Sequence, residues 1–250
     1  MMLAAEKIEF SYPRADVLKK ISFALSEGDC LAILGPNGAG KSTILKCLNK
    51  ILVPQKGVVY INGTDTSSID NRMLAQTVGY IAQRQEHSRK TVFDVVLLGR
   101  KPYIKWDVTS KDIALVEEIL QAFGLDDYAM RYTDELSGGE LQKVMIARAL
   151  AQQPKILLMD EPTSSLDLKN QLEVICTVKE VVQKKGVSAV VTMHDLNLAL
   201  RFANKYMLLK EGQVFAYGGP EIITERAIKE VYDVDVAFVE YEGVPVVVPL

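Results

Sequence analysis

Asp29-Cys30-Leu31-Ala32-Ile33-Leu34-Gly35-Pro36-Asn37-Gly38-Ala39-Gly40-Lys41-Ser42-Thr43 runs from a continuous apolar segment into a glycine-rich turn. Such an apolar run suits a strand buried on both faces of a parallel sheet. The turn fits G-x-x-x-x-G-K-[ST], a loop that wraps phosphate groups with successive backbone N–H donors. A helix is expected from Lys41 to about Lys50, so its positive N-terminal end would add to the same site. In that arrangement Lys41 reaches the β- and γ-phosphates and Ser42 binds Mg²⁺. Gly35, Pro36, Asn37, Gly38, Ala39, Gly40, Lys41, Ser42 and Thr43 are thus candidate nucleotide-binding residues. A glycine-rich turn without function is the alternative, and the strand and helix patterns on its two sides weigh against it.

Before this stretch, Ile8 to Tyr12 and Ile21 to Leu25 alternate polar with apolar, as half-buried antiparallel strands do. Val58 to Ile61 followed by Asn62-Gly63 predicts a strand entering a tight turn. Val78 to Ala82 predicts another short strand. From about Thr91 to Gln152 apolar residues recur at helical spacing, through Val92, Val95 and Val96 and then Ile113, Val116, Ile119, Leu120 and Phe123. Strands resume at Ile156 to Met159 and Val187 to Met193, each approached by a helix, which is the rhythm of a parallel sheet covered on both faces. The tail predicts one short helix and a hairpin around Glu242-Gly243. The expected division is a core of residues 1–86 and 153–250 with a helical insertion at 87–152.

Composition narrows the function classes. The chain has 250 residues, 48 % of them hydrophobic, which is enough for one large α/β domain. A net charge of −3 without a long basic block argues against a nucleic-acid partner. The opening Met1 to Ala5 is too short for a signal peptide, and no run approaches the ~18 apolar residues of a membrane span. Any work at a membrane would need another protein as anchor. Cys30, Cys47 and Cys176 lack metal-site spacing and read as reduced, small, buried hydrophobes of a cytosolic protein.

Three further stretches carry chemistry. Ile156-Leu157-Leu158-Met159-Asp160-Glu161-Pro162 is an apolar strand ending in two carboxylates. At a strand tip facing phosphates, Asp160 would hold the Mg²⁺ shell and Glu161 would polarise the attacking water; a solvated acidic turn is the plainer alternative. Ser137-Gly138-Gly139-Glu140 fits the helix-start pattern in which Ser caps and Glu answers. Its two glycines in a first helical turn cost stability, unless something approaches the backbone closely, and a phosphate is the natural candidate. A second copy of the chain would supply that helix end. His194 follows the strand ending at Met193, where ligands of parallel sheets bind, but taken alone a structural role is favoured for it. Gln83 and Tyr12 are likewise ambiguous alone, the latter as core aromatic or as a platform for a base. His87 shows no partner pattern.

Taken in order, these elements resemble the ATP-binding subunit of ABC transporters over essentially the whole chain. The resemblance implies a P-loop NTPase (RecA-like) α/β core with an N-terminal antiparallel β subdomain and an inserted α-helical subdomain. It implies ATP and Mg²⁺ as ligands. Tyr12 matches the aromatic that stacks on adenine, Gly35 to Thr43 the Walker A loop, and Gln83 the Q-loop, a Mg²⁺ ligand and catalytic residue with Lys41. Leu136 to Glu140 matches the signature motif, Asp160-Glu161 ends Walker B, Ser165-Leu166-Asp167 matches the D-loop and His194 the switch histidine. Ser137, Gly138, Gly139, Glu140 and Asp167 would meet nucleotide across a head-to-tail dimer. The signature ends in Glu140 where Gln is commoner, and Ser164-Ser165 stands where Ser-Ala is commoner.

A looser resemblance, carried by Leu98-Gly99-Arg100-Lys101-Pro102-Tyr103, Trp106 and the tail Val231-Tyr232-Asp233-Val234, points to importer ATPases for iron-siderophore, haem or cobalamin. It implies integral membrane permease subunits as partners, a substrate-binding protein as an indirect one, and a peripheral place on the cytoplasmic face of the cell membrane. A surface within residues 84–106, probed first at Arg100 and Lys101, would accept the permease. The alternative is a soluble ABC ATPase that scaffolds assembly, as in iron–sulfur cluster biogenesis.

Overall fold

The computed structural model describes residues 1–83, 89–164 and 166–250. The expected boundary between residues 86 and 87, His87 and the D-loop's Ser165 lie outside the described residues. In chain order, β1 (Leu3–Tyr12) and β2 (Ala15–Leu25) form an antiparallel pair, and β3 (Cys30–Leu34) leads through the glycine-rich loop into α1 (Lys41–Leu48). β4 (Lys56–Ile61) and β5 (Thr64–Asp65) are joined by Asn62 and Gly63, both at positive φ, as a two-residue hairpin turn requires. Then come α2 (Asn71–Thr77), β6 (Val78–Ile81), α3 (Val92–Leu97), α4 (Ser110–Ala122) and α5 (Gly138–Ala151). β7 (Ile156–Asp160), α6 (Leu168–Lys185), β8 (Ser188–Thr192), α7 (Leu196–Phe202), β9 (Lys205–Lys210) and β10 (Gln213–Gly218) follow. The chain closes with α8 (Glu225–Tyr232) and the hairpin β11 (Val236–Tyr241) and β12 (Val244–Pro249).

Six strands form the central sheet in the order β10-β9-β3-β8-β7-β6, parallel except for the antiparallel edge strand β10. Side chains of β3, β7 and β8 are buried without exception. Their period-2 alternation divides them between two cores. Cys30, Ala32 and Leu34 join Leu157, Met159, Ala189 and Val191 under α6, α7 and α8. Leu31 and Ile33 join Ile156, Leu158 and Val190 under α1 and the antiparallel sheet β2-β1-β4-β5. A third cluster joins α3, α4 and one face of α5 through Val92, Val96, Val116, Leu120, Val144 and Ala147. Ile146, Ala149 and Leu150 on the other face of α5 belong to the first core, so this helix is wedged between two packings.

Three sequence readings are revised. The first strand, expected over Ile8 to Tyr12, begins at Leu3, and its buried Leu3 to Ala5 pair with both β2 and β4. Cys30 and Cys47 are buried, with thiols pushed up to about 11 and about 12 by burial, but Cys176 lies on the exposed side of α6. Arg100, expected as a solvent-facing probe of the permease surface, is 8 % exposed. Its guanidinium pairs with Asp112 at 2.8 Å, donates to Ala151 O at 2.9 Å and Gln153 Oε1 at 3.0 Å, and lies over the Tyr103 ring. Gly99 beside it is required by close approach, since a Cβ there would sit 2.1 Å from Arg148 O. The Leu98-Gly99-Arg100 motif thus clamps the C-terminal end of α5. Lys101 and Trp106 remain exposed, the latter at 98 %. Among the described residues, no helix is long and apolar enough to cross a membrane.

Candidate functional site

Four neighbouring parallel strands, β3, β8, β7 and β6, deliver their C-terminal ends to one place, where open α/β sheets bind ligands. β3 opens into Gly35 to Gly40, β7 ends in Asp160 and Glu161, β8 ends at Thr192 just before His194, and β6 is followed by Gln83.

The glycine-rich loop is shaped by contact and by backbone angle. Gly35 has φ +153, and a Cβ on it would lie 2.4 Å from Leu209 O. Gly40 has φ +104, and its Cβ would meet the Leu18 side chain at 2.8 Å. Gly40 is also the N-cap of α1, and no side chain caps that helix or places an acid in its first turn. Every other described α-helix except α5, which caps itself through Ser137 and Glu140, starts on an Asp or Thr side chain: Asp70, Thr91, Thr109, Asp167, Asp195 and Thr224. The first N–H groups of α1 are therefore left for an anion. Lys41, buried to 5 % exposure, donates to Gly35 O at 2.8 Å and Pro36 O at 3.1 Å, which holds the ammonium across the mouth of the loop. Burial pushes its pKa down, opposed by the Glu161 and Asp160 carboxylates.

Asp160 is buried and receives two hydroxyls on one oxygen, Ser42 Oγ at 2.8 Å and Thr192 Oγ1 at 2.8 Å. Thr192 Oγ1 in turn accepts the Glu161 N–H at 2.9 Å. Sequence reasoning missed Thr192, although a signal existed: it is the hydroxyl residue at the tip of an apolar strand, and register pairs it with Asp160. Glu161 takes φ +48. Pro162 disfavours the right-handed helical basin for the residue before it, and a left-handed non-glycine costs about 1–3 kcal/mol. The turn sends the Glu161 side chain between two partners, Gln83 Nε2 at 2.5 Å and His194 Nε2 at 2.5 Å. Gln83, Glu161 and His194, from three different strand ends, thus form one cluster beside Ser42 and Asp160.

The donor set fits Mg²⁺ and a nucleoside triphosphate. Ser42, Asp160 and Gln83 supply hard oxygens with one buried carboxylate, and Mg²⁺ favours one or two carboxylates completed by phosphate and water. The uncapped α1 and the side-chain-free faces of the loop suit a polyphosphate.

The remaining expected residues stand apart from this cluster. Tyr12 ends β1, 41 % exposed, packed edge-to-face on Phe10 at 4.9 Å. Ser137 and Glu140 at the start of α5 satisfy one another: Ser137 N and Oγ donate to Glu140 Oε2 at 2.8 and 2.7 Å, and Glu140 N donates to Ser137 Oγ. Those bonds, Ser137's first, hold the Glu140 carboxyl below its usual range. The two signature glycines differ. A Cβ on Gly139 would meet the Asn170 side chain at 2.7 Å, whereas one on Gly138 would meet nothing within 4 Å. Asp167 caps α6 through the Asn170 N–H at 2.8 Å and accepts the Asn170 amide at 3.0 Å, tying it to the same corner.

A family profile described as "ABC transporter" matches residues 18–164, more than half of the chain. An uncharacterised ABC transporter ATP-binding protein of Methanocaldococcus jannaschii is 52 % identical over 250 residues, covering 100 % of this chain and 98 % of its own. The ferric enterobactin transport ATP-binding protein of Escherichia coli is 33 % identical, covering 99 % and 94 %. A phosphonates import ATP-binding protein of Synechococcus sp. is 36 % identical, covering 92 % and 90 %. Among solved structures, a chain of a transporter described as metal-chelate type, in an inward-facing conformation, superposes with TM-score 0.87 at 31 % identity, covering 100 % and 97 %.

Proposed function

We propose that this chain, which belongs to the ABC transporter family and is an ATPase, is the energy-coupling subunit of an importer for a metal chelate such as an iron-siderophore, haem or cobalamin. The observation that carries the cargo class is the match along the whole chain, tail included, to the metal-chelate type transporter, joined by the ferric enterobactin relative. The phosphonates relative supports a second cargo reading, an oxyanion importer. The scaffold alternative draws no support from these relatives.

In this reading Gly35 to Thr43 wrap the phosphates, Lys41 leaves the Gly35 and Pro36 carbonyls for the β- and γ-phosphates, and Tyr12 stacks on the base. Ser42, Asp160 and Gln83 hold Mg²⁺, which supplies charge neutralisation at the phosphates. Glu161 accepts the proton of the attacking water, Gln83 and His194 fix its carboxylate, and His194 contacts the γ-phosphate. Ser137, Gly138, Gly139 and Glu140 serve the partner copy's nucleotide in a head-to-tail dimer, with Asp167 bridging the sites. The division at residues 86/87 and 152/153 belongs to the same reading. So do the peripheral location at the cytoplasmic face and a permease contact at the exposed Lys101 and Trp106, with a substrate-binding protein reached only through the permease.

The test is purification of tagged Glu161→Gln with Mg-ATP from native membranes, then ATPase assay of the wild-type complex with binding protein. A polytopic partner and stimulation by a loaded ferric chelate are expected. Stimulation by a phosphonate alone moves the cargo to the second reading, and a soluble partner without any membrane protein contradicts the importer.

A further inference from the structure

Strands β7 and β8 stop pairing at Asp160 and Thr192, which stand opposite one another. The next backbone N–H, that of Glu161, donates to a side chain instead of a strand carbonyl, reaching Thr192 Oγ1 at 2.9 Å. Thr192 is fully buried, and its hydroxyl has a single proton, which it donates to Asp160 Oδ1 at 2.8 Å. That bond turns a lone pair of the same oxygen toward the Glu161 N–H. One hydroxyl thus gives its proton to the first carboxylate residue of the pair and its lone pair to the second. Both bonds run to the tip of β7 rather than to the glycine-rich loop.

Glu161 requires a hold of this kind. Its backbone sits at φ +48, a strained conformation for a non-glycine residue that persists only where the surroundings fix it. The Glu161 carbonyl accepts from Ser164 Oγ at 3.1 Å, but Ser164 is exposed. The N–H is the end tied to the buried sheet. Without that tie the backbone is free to relax to the extended basin that Pro162 favours, drawing the carboxylate away from Gln83 and His194. Asp160 keeps the Ser42 hydroxyl at 2.8 Å in either case, so the phosphate side of the site is left in place. Resting on the water-activating role given to Glu161 above, we propose that Thr192 is a positioning residue for hydrolysis, its hydroxyl locking the Glu161 backbone so that the carboxylate stays aimed at the attacking water.

The test compares Thr192→Val, which is isosteric but lacks the hydroxyl, with Thr192→Ser, which keeps it, and with Glu161→Gln, all in the full chain. Tm, affinity for a non-hydrolysable ATP analogue with Mg²⁺, and KM and kcat for ATP hydrolysis are measured for each. The valine variant is expected to bind the analogue and to show a KM within about two-fold of wild type, with kcat lowered about ten- to a hundred-fold. The serine variant is expected to recover kcat to within about three-fold, although loss of the buried methyl group lowers its Tm. Unchanged kcat in the valine variant, with Glu161→Gln inactive, overturns the proposal alone. A serine variant as slow as the valine one overturns it too, assigning Thr192 to packing, as does a raised KM at constant kcat, assigning it to nucleotide binding. Wild-type turnover in Glu161→Gln removes the role given to Glu161, and this proposal with it. Thr192→Ala gives the same readings if the valine variant does not fold.

Discussion

Two glycine-rich helix starts, at α1 and at α5, are built oppositely. At α1, no side chain caps the helix, the glycines are dictated by positive φ or by backbone contact, and a buried lysine spans the loop. At α5, Ser137 and Glu140 close the helix end on themselves, and Gly138 is dictated by neither angle nor neighbour. The first leaves its N-terminal N–H groups without any side-chain cap. The second is satisfied while alone, and its one unexplained feature is an open face at Gly138. The open space in front of Gly138 leaves room for an external partner, which in the proposed function is the nucleotide of another copy.

That contrast can be broken at its strongest point by Arg100→Glu. The signature helix is clamped at its far end by Arg100, so reversing this buried charge takes the guanidinium from Asp112 Oδ1 and Ala151 O and sets two carboxylates against each other. Loss of a buried ion-pair partner costs about 3–5 kcal/mol, and chemical denaturation should show it in the isolated chain, before any permease is present. Wild-type stability would return Arg100 to the surface role expected from sequence.

The two signature glycines sharpen the contrast at smaller magnitude. Gly139→Ala forces the Asn170 amide off Asp167, and the lost hydrogen bond, about 1 kcal/mol, should cancel most of the helix gain and leave this variant less stable than Gly138→Ala. Gly138→Ala should be neutral or up to ~1 kcal/mol stabilising, since alanine is the better helix former, while reducing ATPase activity. Equal losses of stability at both positions would remove the argument for an outward-facing Gly138.

The smallest effect concerns the self-made cap. The folded pKa of Glu140 lies below its ordinary value of 4.5, so its contribution is present above that value and is lost as pH falls through the lowered one. Glu140→Gln should flatten the acid limb of the stability curve by at most about 1 kcal/mol. An identical acid limb would mean the cap bonds contribute nothing net.

Much of the site was legible because it follows strand ends. Buried apolar runs fix β3, β7 and β8, and whatever follows them is delivered to one edge. The helix α2 was not legible, since only Leu74 of its seven residues is buried and no periodicity shows. The partial legibility of Gly138-Gly139 is instructive. The sequence pattern presents the pair as one phosphate seat, whereas Gly139 lies against Asn170, thirty-one positions away in sequence and adjacent only in the fold. Burial of Arg100 was hidden for the same reason, because Asp112, Ala151 and Gln153 are assembled around it by packing of α3, α4 and α5.

The central claim is that the nucleotide site is finished by a second copy. Light scattering of Glu161→Gln at saturating Mg-ATP tests it most directly, in a variant that should retain nucleotide but lose about 10²–10⁴-fold in turnover. A mass about twice the 27.7 kDa chain, reverting toward one copy when Gly138→Ala is added, is the predicted result. A single-copy mass with nucleotide fully bound would contradict it.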